Sequence, residues 1–235
     1  MQGSLTNQIA VVTGASSGIG KAIAFALGAQ GATLCLLGRH VSALEVPAPR
    51  VAKLTVDLAD DTQVRDAAAR ALKDFGGVDI LIHSAGVFVQ DRVETAAPAD
   101  FDLQHRVNVR APQLLTQELL PALRTRRGQI VFINSSVARN PTANVSQYTA
   151  TKVALKTFAD RLRNEINADG VRVLSVFVGQ TATSMQASIY KTQGKEYRPE
   201  RLLQPEDVAS AVIHALSLPR TAEITEIDIR PLQKP

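Results

Sequence analysis

Ile9-Ala-Val-Val-Thr13-Gly-Ala-Ser-Ser-Gly18-Ile-Gly20 is the stretch whose reading decides the fold. Ile9–Thr13 is a short apolar, β-branched run, as in a strand covered on both faces. Ile19–Ala29 then carries apolar residues at helical spacing. Between them, Gly14, Gly18 and Gly20 allow a sharp turn and a close approach of backbone to a ligand. A helix that starts at such a turn points its free N–H groups and the positive end of its dipole at one place, where an anion is stabilised. The spacing is G-x-x-x-G-x-G, not the commoner G-x-G-x-x-G. Two other motifs overlap it. Gly14-Ala-Ser-Ser-Gly18 satisfies G-x-S-x-G, the turn that carries a hydrolase nucleophile. That turn would normally follow several strands, and here it follows the first. Gly20-Lys21 resembles the end of a P-loop, but the spacing is one residue too long, and Ala22 stands where Mg²⁺ needs a hydroxyl.

Downstream, apolar runs alternate with helical patterns. Strands are expected at Ile9–Thr13, Thr33–Leu37, Val51–Val56, Ile80–His83, Ile130–Ile133, Val171–Val178 and Ile224–Ile229. Helices are expected at Ile19–Ala29, Thr62–Phe75, Asp100–Arg126, Val145–Ala168 and Pro205–Leu218, with Asp60 and Asp61 capping the second. This alternation predicts one doubly wound α/β domain over residues 1–235. Two segments are irregular. His40–Arg50 holds only a short helical stretch, broken by Pro47 and Pro49. Gly179–Gln204 is a long polar loop, and its 184–203 part is expected to be a substrate lid, as loops of that length usually serve function.

The chain has 235 residues, 45% apolar and 20% charged, as in a globular domain with a sizeable core. No apolar run reaches membrane-spanning length, and no secretory leader is evident, so a cytoplasmic location is expected. The single Cys35 cannot form an internal disulfide and reads as a buried structural thiol. The net charge is +4, but basic residues are scattered and only 4% of residues are aromatic, which argues against a nucleic-acid surface. Arg124–Arg127 reads as cations at a helix C-terminus. The four histidines show no metal-ligand spacing. His83, ending an apolar strand, reads as a satisfied core histidine.

Tyr148-Thr-Ala-Thr-Lys152 is the second informative stretch. A tyrosine and a lysine at this spacing share one helix face. An ammonium beside a phenol favours the phenolate over its ordinary pKa of about 10. Such a tyrosine can exchange a proton with a carbonyl or alcohol while a dinucleotide handles the hydride.

Together these motifs resemble the short-chain dehydrogenase/reductase family over nearly the whole chain. Thr13–Gly20 matches its T-G-x-x-x-G-x-G and Tyr148/Lys152 its Y-x-x-x-K. His83-Ser-Ala-Gly86 stands where the family often has N-N-A-G. Asn134-Ser-Ser-Val137 resembles the strand end that carries the catalytic serine. Asn108 resembles the helix asparagine of the tetrad, and Gly179-Gln-Thr-Ala-Thr183 the turn that receives the nicotinamide carboxamide.

The resemblance implies a Rossmann-type parallel sheet of about seven strands with helices on both faces. It also implies an NADP(H)-dependent oxidoreductase that interconverts a small-molecule carbonyl and a secondary alcohol. Its catalytic residues would be Asn108, Ser136, Tyr148 and Lys152. Tyr148 is the acid/base, Lys152 lowers its pKa and holds the nicotinamide ribose, Ser136 donates to the substrate oxygen, and Asn108 helps hold a water linking Lys152 to solvent. Ser136 lies 12 positions before Tyr148, one fewer than is usual for the family, so Ser135 stays an alternative. Cofactor contacts are implied for Gly14, Ser16, Ser17, Gly18, Ile19, Gly20, Arg39, Asp57, Leu58, Ala85, Gly86, Asn108, Tyr148, Lys152, Gly179, Thr181 and Thr183. Where NAD sites carry an acid after the second strand, this chain has Gly38 and then Arg39, which favours a 2′-phosphate. Val178 replaces a proline that often precedes Gly179, so that turn is expected to be less constrained. A homodimer or homotetramer packed through the two long helices is implied, with no metal, nucleic acid or membrane partner. The alternative is a non-catalytic NADP-sensing or scaffold protein on the same fold.

Overall fold

The structure is a computed structural model that describes residues 5–233. Seven parallel strands form one sheet: β1 (Ile9–Thr13), β2 (Thr33–Gly38), β3 (Val51–Thr55), β4 (Ile80–His83), β5 (Gln129–Ser135), β6 (Arg172–Val178) and β7 (Glu226–Ile229). Their order is β3-β2-β1-β4-β5-β6-β7. Among the described residues, the α-helices are α1 (Gly18–Ala29), α2 (Asp61–Phe75), α3 (Pro98–His105), α4 (Ala111–Arg126), α5 (Ser146–Ile166), α6 (Ser184–Thr192) and α7 (Pro205–Leu216). This is the doubly wound Rossmann-type fold expected from the alternation of runs.

The side-chain period of two divides each strand between two cores. Ala10 and Val12 of β1, with Leu34 and Leu36 of β2, face α1 and α7. Val11, Cys35 and Leu37 face α2, α4 and α5. Burial on both faces explains why these strands read as continuous apolar runs. Each fully buried aliphatic side chain here contributes about 1.5–3 kcal/mol. The order reverses at β1: β2 and β3 lie on one side, β4 to β7 on the other. The crevice at the carboxyl ends of β1 and β4 is the topological switch point, where ligands bind in open α/β sheets.

Three local expectations are corrected. The 39–50 crossover contains no helix. Two prolines in so short a span, each lacking a donor, leave no room for a helical turn. The long helix expected at 100–126 begins at Pro98 and carries a π turn at Arg106–Arg110. In that turn the Ala111 N–H bonds the Arg106 carbonyl, and Pro112, which has no N–H, withholds the usual α-helical donor from the Asn108 carbonyl. The segment expected to be a loop at 184–203 contains α6, capped by Thr183, whose hydroxyl accepts from the Gln186 N–H at 3.2 Å. The other caps follow the sequence. Asp60 accepts from Thr62 and Gln63 at the start of α2.

His83 is a satisfied core histidine. Its Nε2 lies 2.8 Å from the Thr116 hydroxyl, and its ring stacks on Phe132 at 4.8 Å. Burial pushes its pKa down to about 3. The unfolded chain binds this proton near pH 6.5 and the folded chain does not, so stability falls as pH drops from about 6.5 towards 3, by up to about 1.4 kcal/mol per pH unit. His83→Asn, which keeps a hydrogen-bonding group and does not titrate, should flatten that slope. Urea unfolding of both proteins at pH 7 and pH 5 measures it, and equal slopes would exclude His83 as the cause.

Candidate active site

The loop between β1 and α1 is built by close approach. A Cβ on Gly20 would lie 2.3 Å from the Gly14 carbonyl oxygen, and one on Gly14 2.8 Å from the Ala85 backbone. Both positions therefore require glycine. Thr13 pins the neighbouring chain, since its hydroxyl accepts from the Ser84 and Ala85 N–H groups at 3.1 and 3.2 Å. Ser17, at the N-cap of α1, makes no side-chain cap, and the first turn holds no acidic residue. The N–H groups of that turn face a cavity of about 670 Å³.

The cavity runs from this loop, past Arg39, Asp57 and Leu58 at the ends of β2 and β3, to Tyr148 and Lys152 on α5. It continues between the turn after β6 and α6. A Cβ on Gly38 would sit 3.0 Å from the Ser16 hydroxyl, so an acid at that position would be crowded. Arg39, next in the chain, is exposed at the cavity rim.

Tyr148 and Lys152 share the inner face of α5, with the Lys152 Nζ 5.7 Å from the phenol ring centroid. That Nζ donates to the Ile133 carbonyl at 3.2 Å. Desolvation pushes the Lys152 pKa down to about 8. It also pushes the Tyr148 phenol up to about 12, although a hydrogen bond from Ser135 acts in the opposite direction. Burial thus outweighs the lowering of the phenol pKa expected from the nearby lysine.

Ser135 and Ser136 both line the cavity with Tyr148, and Ser135 is the one that draws the phenol's pKa down. Ser136, the residue expected there, opens a 3₁₀ turn over Ser136–Ala138 and lines the cavity without that effect. The reason is the strand end: Ser135 is the last residue of β5, paired with Val178, and the chain curls away directly after it. The 13-residue separation of Ser135 and Tyr148 was the sequence signal for this register.

Asn108 is fully buried and is not among the residues that line the cavity. Its side-chain amide is committed. Oδ1 accepts from the Val87 N–H at 2.8 Å, and Nδ2 donates to the Val87 carbonyl and the Thr151 hydroxyl at 2.9 and 3.1 Å. Thr151 in turn donates to the Tyr148 carbonyl at 2.7 Å. Asn108 therefore locks the chain after β4 to α5. Asn134, to which the sequence assigned no separate role, does the same for β5: Nδ2 donates to the Lys152 carbonyl at 3.1 Å and Oδ1 accepts from the Ser135 N–H at 2.8 Å.

The other expected residues, Gly14, Ser16, Ser17, Gly18, Ile19, Gly20, Ala85, Gly86, Gly179, Thr181 and Thr183, all line the cavity. The turn at Gly179 is held more firmly than expected from the missing proline. Gly179 N–H bonds Ile229 and the Thr181 hydroxyl bonds the Gly179 carbonyl, at 2.8 and 3.0 Å. Bonds from Leu203 to Gln180 and from Ala182 to Leu203, at 3.1 and 2.8 Å, clasp the base of the 183–202 excursion. Its far end meets the loop after β4, where Gln193 donates to Gln90 at 3.0 Å.

Comparison with known proteins agrees with this geometry. The family described as short chain dehydrogenase matches residues 8–194. An "uncharacterized oxidoreductase" of Staphylococcus aureus (strain USA300) is 33% identical over 97% of this chain and 99% of its own length. Among solved structures, an alcohol dehydrogenase from the archaeon Thermococcus sibiricus, complexed with 5-hydroxy-NADP, superposes with a TM-score of 0.87 at 28% identity, over 97% of this chain and 98% of that one. L-sorbose reductase from Gluconobacter frateurii, complexed with NADPH and L-sorbose, superposes with a TM-score of 0.85 at 26% identity over 97% of both chains. The chain belongs to the short chain dehydrogenase family, and it is an oxidoreductase of that family.

Proposed function

We propose that this short chain dehydrogenase is an NADP(H)-dependent oxidoreductase that interconverts a carbonyl and a secondary alcohol. The observation that carries the reading is that Tyr148, Lys152 and Ser135 line one wall of a cavity that extends to the glycine loop, with the Lys152 Nζ 5.7 Å from the Tyr148 ring centroid. The residues fit a dinucleotide: Gly14, Gly18 and Gly20 line the cavity, and the first turn of α1 has no side-chain cap and no acid. NADP-bound relatives of the same fold support the same cofactor.

When bound, the dinucleotide supplies the hydride in one direction and accepts it in the other. The first turn of α1, with Ser16, Ser17, Gly18, Ile19 and Gly20, holds the pyrophosphate. Arg39 pairs with the 2′-phosphate, as guanidinium groups do with such anions. Asp57 and Leu58 border the adenine, and Gly179, Thr181 and Thr183 border the nicotinamide. Lys152 holds the adjacent ribose and carries its charge towards Tyr148. Ser135 donates to the substrate oxygen and orients it. Tyr148, protonated at neutral pH, gives its proton to that oxygen in reduction and takes it back in oxidation. Asn108 positions Val87 and the start of α5. The α6 segment covers the substrate and excludes water from it.

Tyr148→Phe should keep NADPH affinity and lose at least about 100-fold in kcat, the smaller end of what a general acid contributes. Ser135→Ala should lower kcat by a similar factor as an oxyanion donor is lost, whereas Ser136→Ala should stay within about 10-fold of wild type by the same measure. Stopped-flow turnover of the three variants tests the assignment, and collapse of Ser136→Ala alone would reverse the two serines.

Wild-type kcat/KM should favour NADPH over NADH by about 10- to 150-fold, the value of one charge-assisted contact. Arg39→Asp should invert the preference. Equal use of the two cofactors by the wild type would remove Arg39 from this role.

Trypsin should cut at Lys191, Lys195 or Arg201, all exposed, several-fold more slowly when NADPH is bound. Unchanged cutting would mean that the 184–203 segment does not respond to the cofactor.

A further inference from the structure

The charged side chains that line the cavity, among the described residues, are Arg39, Asp57 and Lys152. Arg39 and Asp57 sit at the ends of β2 and β3, on the side of the sheet away from Tyr148. Lys152 is turned to the Ile133 carbonyl at 3.2 Å. The remaining half, carried by the chain after β4, by α3 and by α6, is bounded by Phe88, Leu103, Met185, Ile189, Gln186 and Gln193. Phe88 packs edge-on against Tyr148, with ring centroids 4.9 Å apart. Leu103 and Met185 are large apolar side chains left 42% and 38% exposed at the rim. The polar groups here are neutral, the amides of Gln186 and Gln193 and the hydroxyls of Ser184 and Ser188, and Gln193 reaches across to Gln90 at 3.0 Å.

The four cations of the 184–203 segment stay outside this half. Lys191, Lys195, Arg198 and Arg201 are exposed, and none of them lines the cavity. Arg198 is already paired with Glu196 at 2.6 Å. An anionic group on a substrate would leave water here for a wall of apolar side chains, amides and hydroxyls, with no counter-charge to replace its hydration.

Resting on the reductase reading, we propose that the substrate is an uncharged carbonyl compound, or its secondary alcohol, with an apolar body, and that the Phe88–Met185 wall is what selects it. Phe88 seats the apolar part next to the carbonyl held by Tyr148 and Ser135, Leu103 and Met185 cover its outer end, and the glutamine amides accept neutral polar substituents. The protein's net charge of +4 works the other way, because a positive protein attracts anions from solution. Pocket chemistry and overall charge therefore give opposite orders for a matched pair of ligands.

That pair is benzylacetone and its para-carboxylate, which carry the same ketone and differ in charge. Binding of each to the protein–NADP⁺ complex is measured by calorimetry, and turnover of each with NADPH is measured separately. The neutral ketone should bind at least about 10-fold more tightly, the scale on which a site rejects a group it cannot pair. Met185→Lys, at a position exposed enough to accept the change, should narrow that gap by about 10-fold by giving the carboxylate a partner. Equal or tighter binding of the carboxylate by the wild type would overturn the proposal, and an unchanged gap in Met185→Lys would overturn the wall as its cause. Selective binding of the neutral ketone without turnover would uphold the pocket's chemistry and overturn the reductase reading instead.

Discussion

The buried amide of Asn134 is the tie on which the rest of the site depends. One end holds the Ser135 N–H and the other the Lys152 carbonyl, at 2.8 and 3.1 Å. Apolar packing between β5 and α5 is worth far more in total, but it tolerates sliding, because one aliphatic contact replaces another at small cost. Two directed hydrogen bonds inside a dry core do not, since each unmade bond costs about 1–3 kcal/mol. The amide therefore converts a strand and a helix that merely pack into a pair with one register. Asn108 repeats the device on the opposite side, gripping Val87 and Thr151. Tyr148 is fixed between the two amides without a direct bond to either.

The long-range architecture was legible because both faces of the sheet are covered. Ile9–Thr13 and Thr33–Leu37 read as strands from their unbroken apolar runs, and the structure extends the second by one residue. The glycines of the first loop were legible because backbone crowding admits no other residue. The register of the serine was only faintly legible: Ser135 and Ser136 are chemically identical neighbours, their spacing to Tyr148 is the one sign in the sequence, and the end of β5, where Ser135 pairs with Val178, separates them. The π turn at Arg106–Arg110 was equally hidden, since its residues keep a helical pattern and the turn shows only in hydrogen bonding. Helix α6 is hidden in the sequence, since none of its residues is buried and no core-facing stripe marks it.

The same burial that makes the site rigid opposes the charges its chemistry needs. In solution a lysine beside a tyrosine would remain an ammonium and draw the phenol towards ionisation. Here desolvation holds Lys152 near pKa 8 and lifts Tyr148 to about 12. The intervening hydrogen bond from Ser135 favours the phenolate but recovers only part of the cost. The protein alone therefore keeps a neutral phenol, which is a proton donor, beside an amine that is close to losing its charge at ordinary pH. A stable tyrosinate requires additional positive charge or additional donors at the same spot. The arrangement is poised accordingly: the fold supplies position, the serine supplies direction, and the ionisation state is left for whatever occupies the cavity to set.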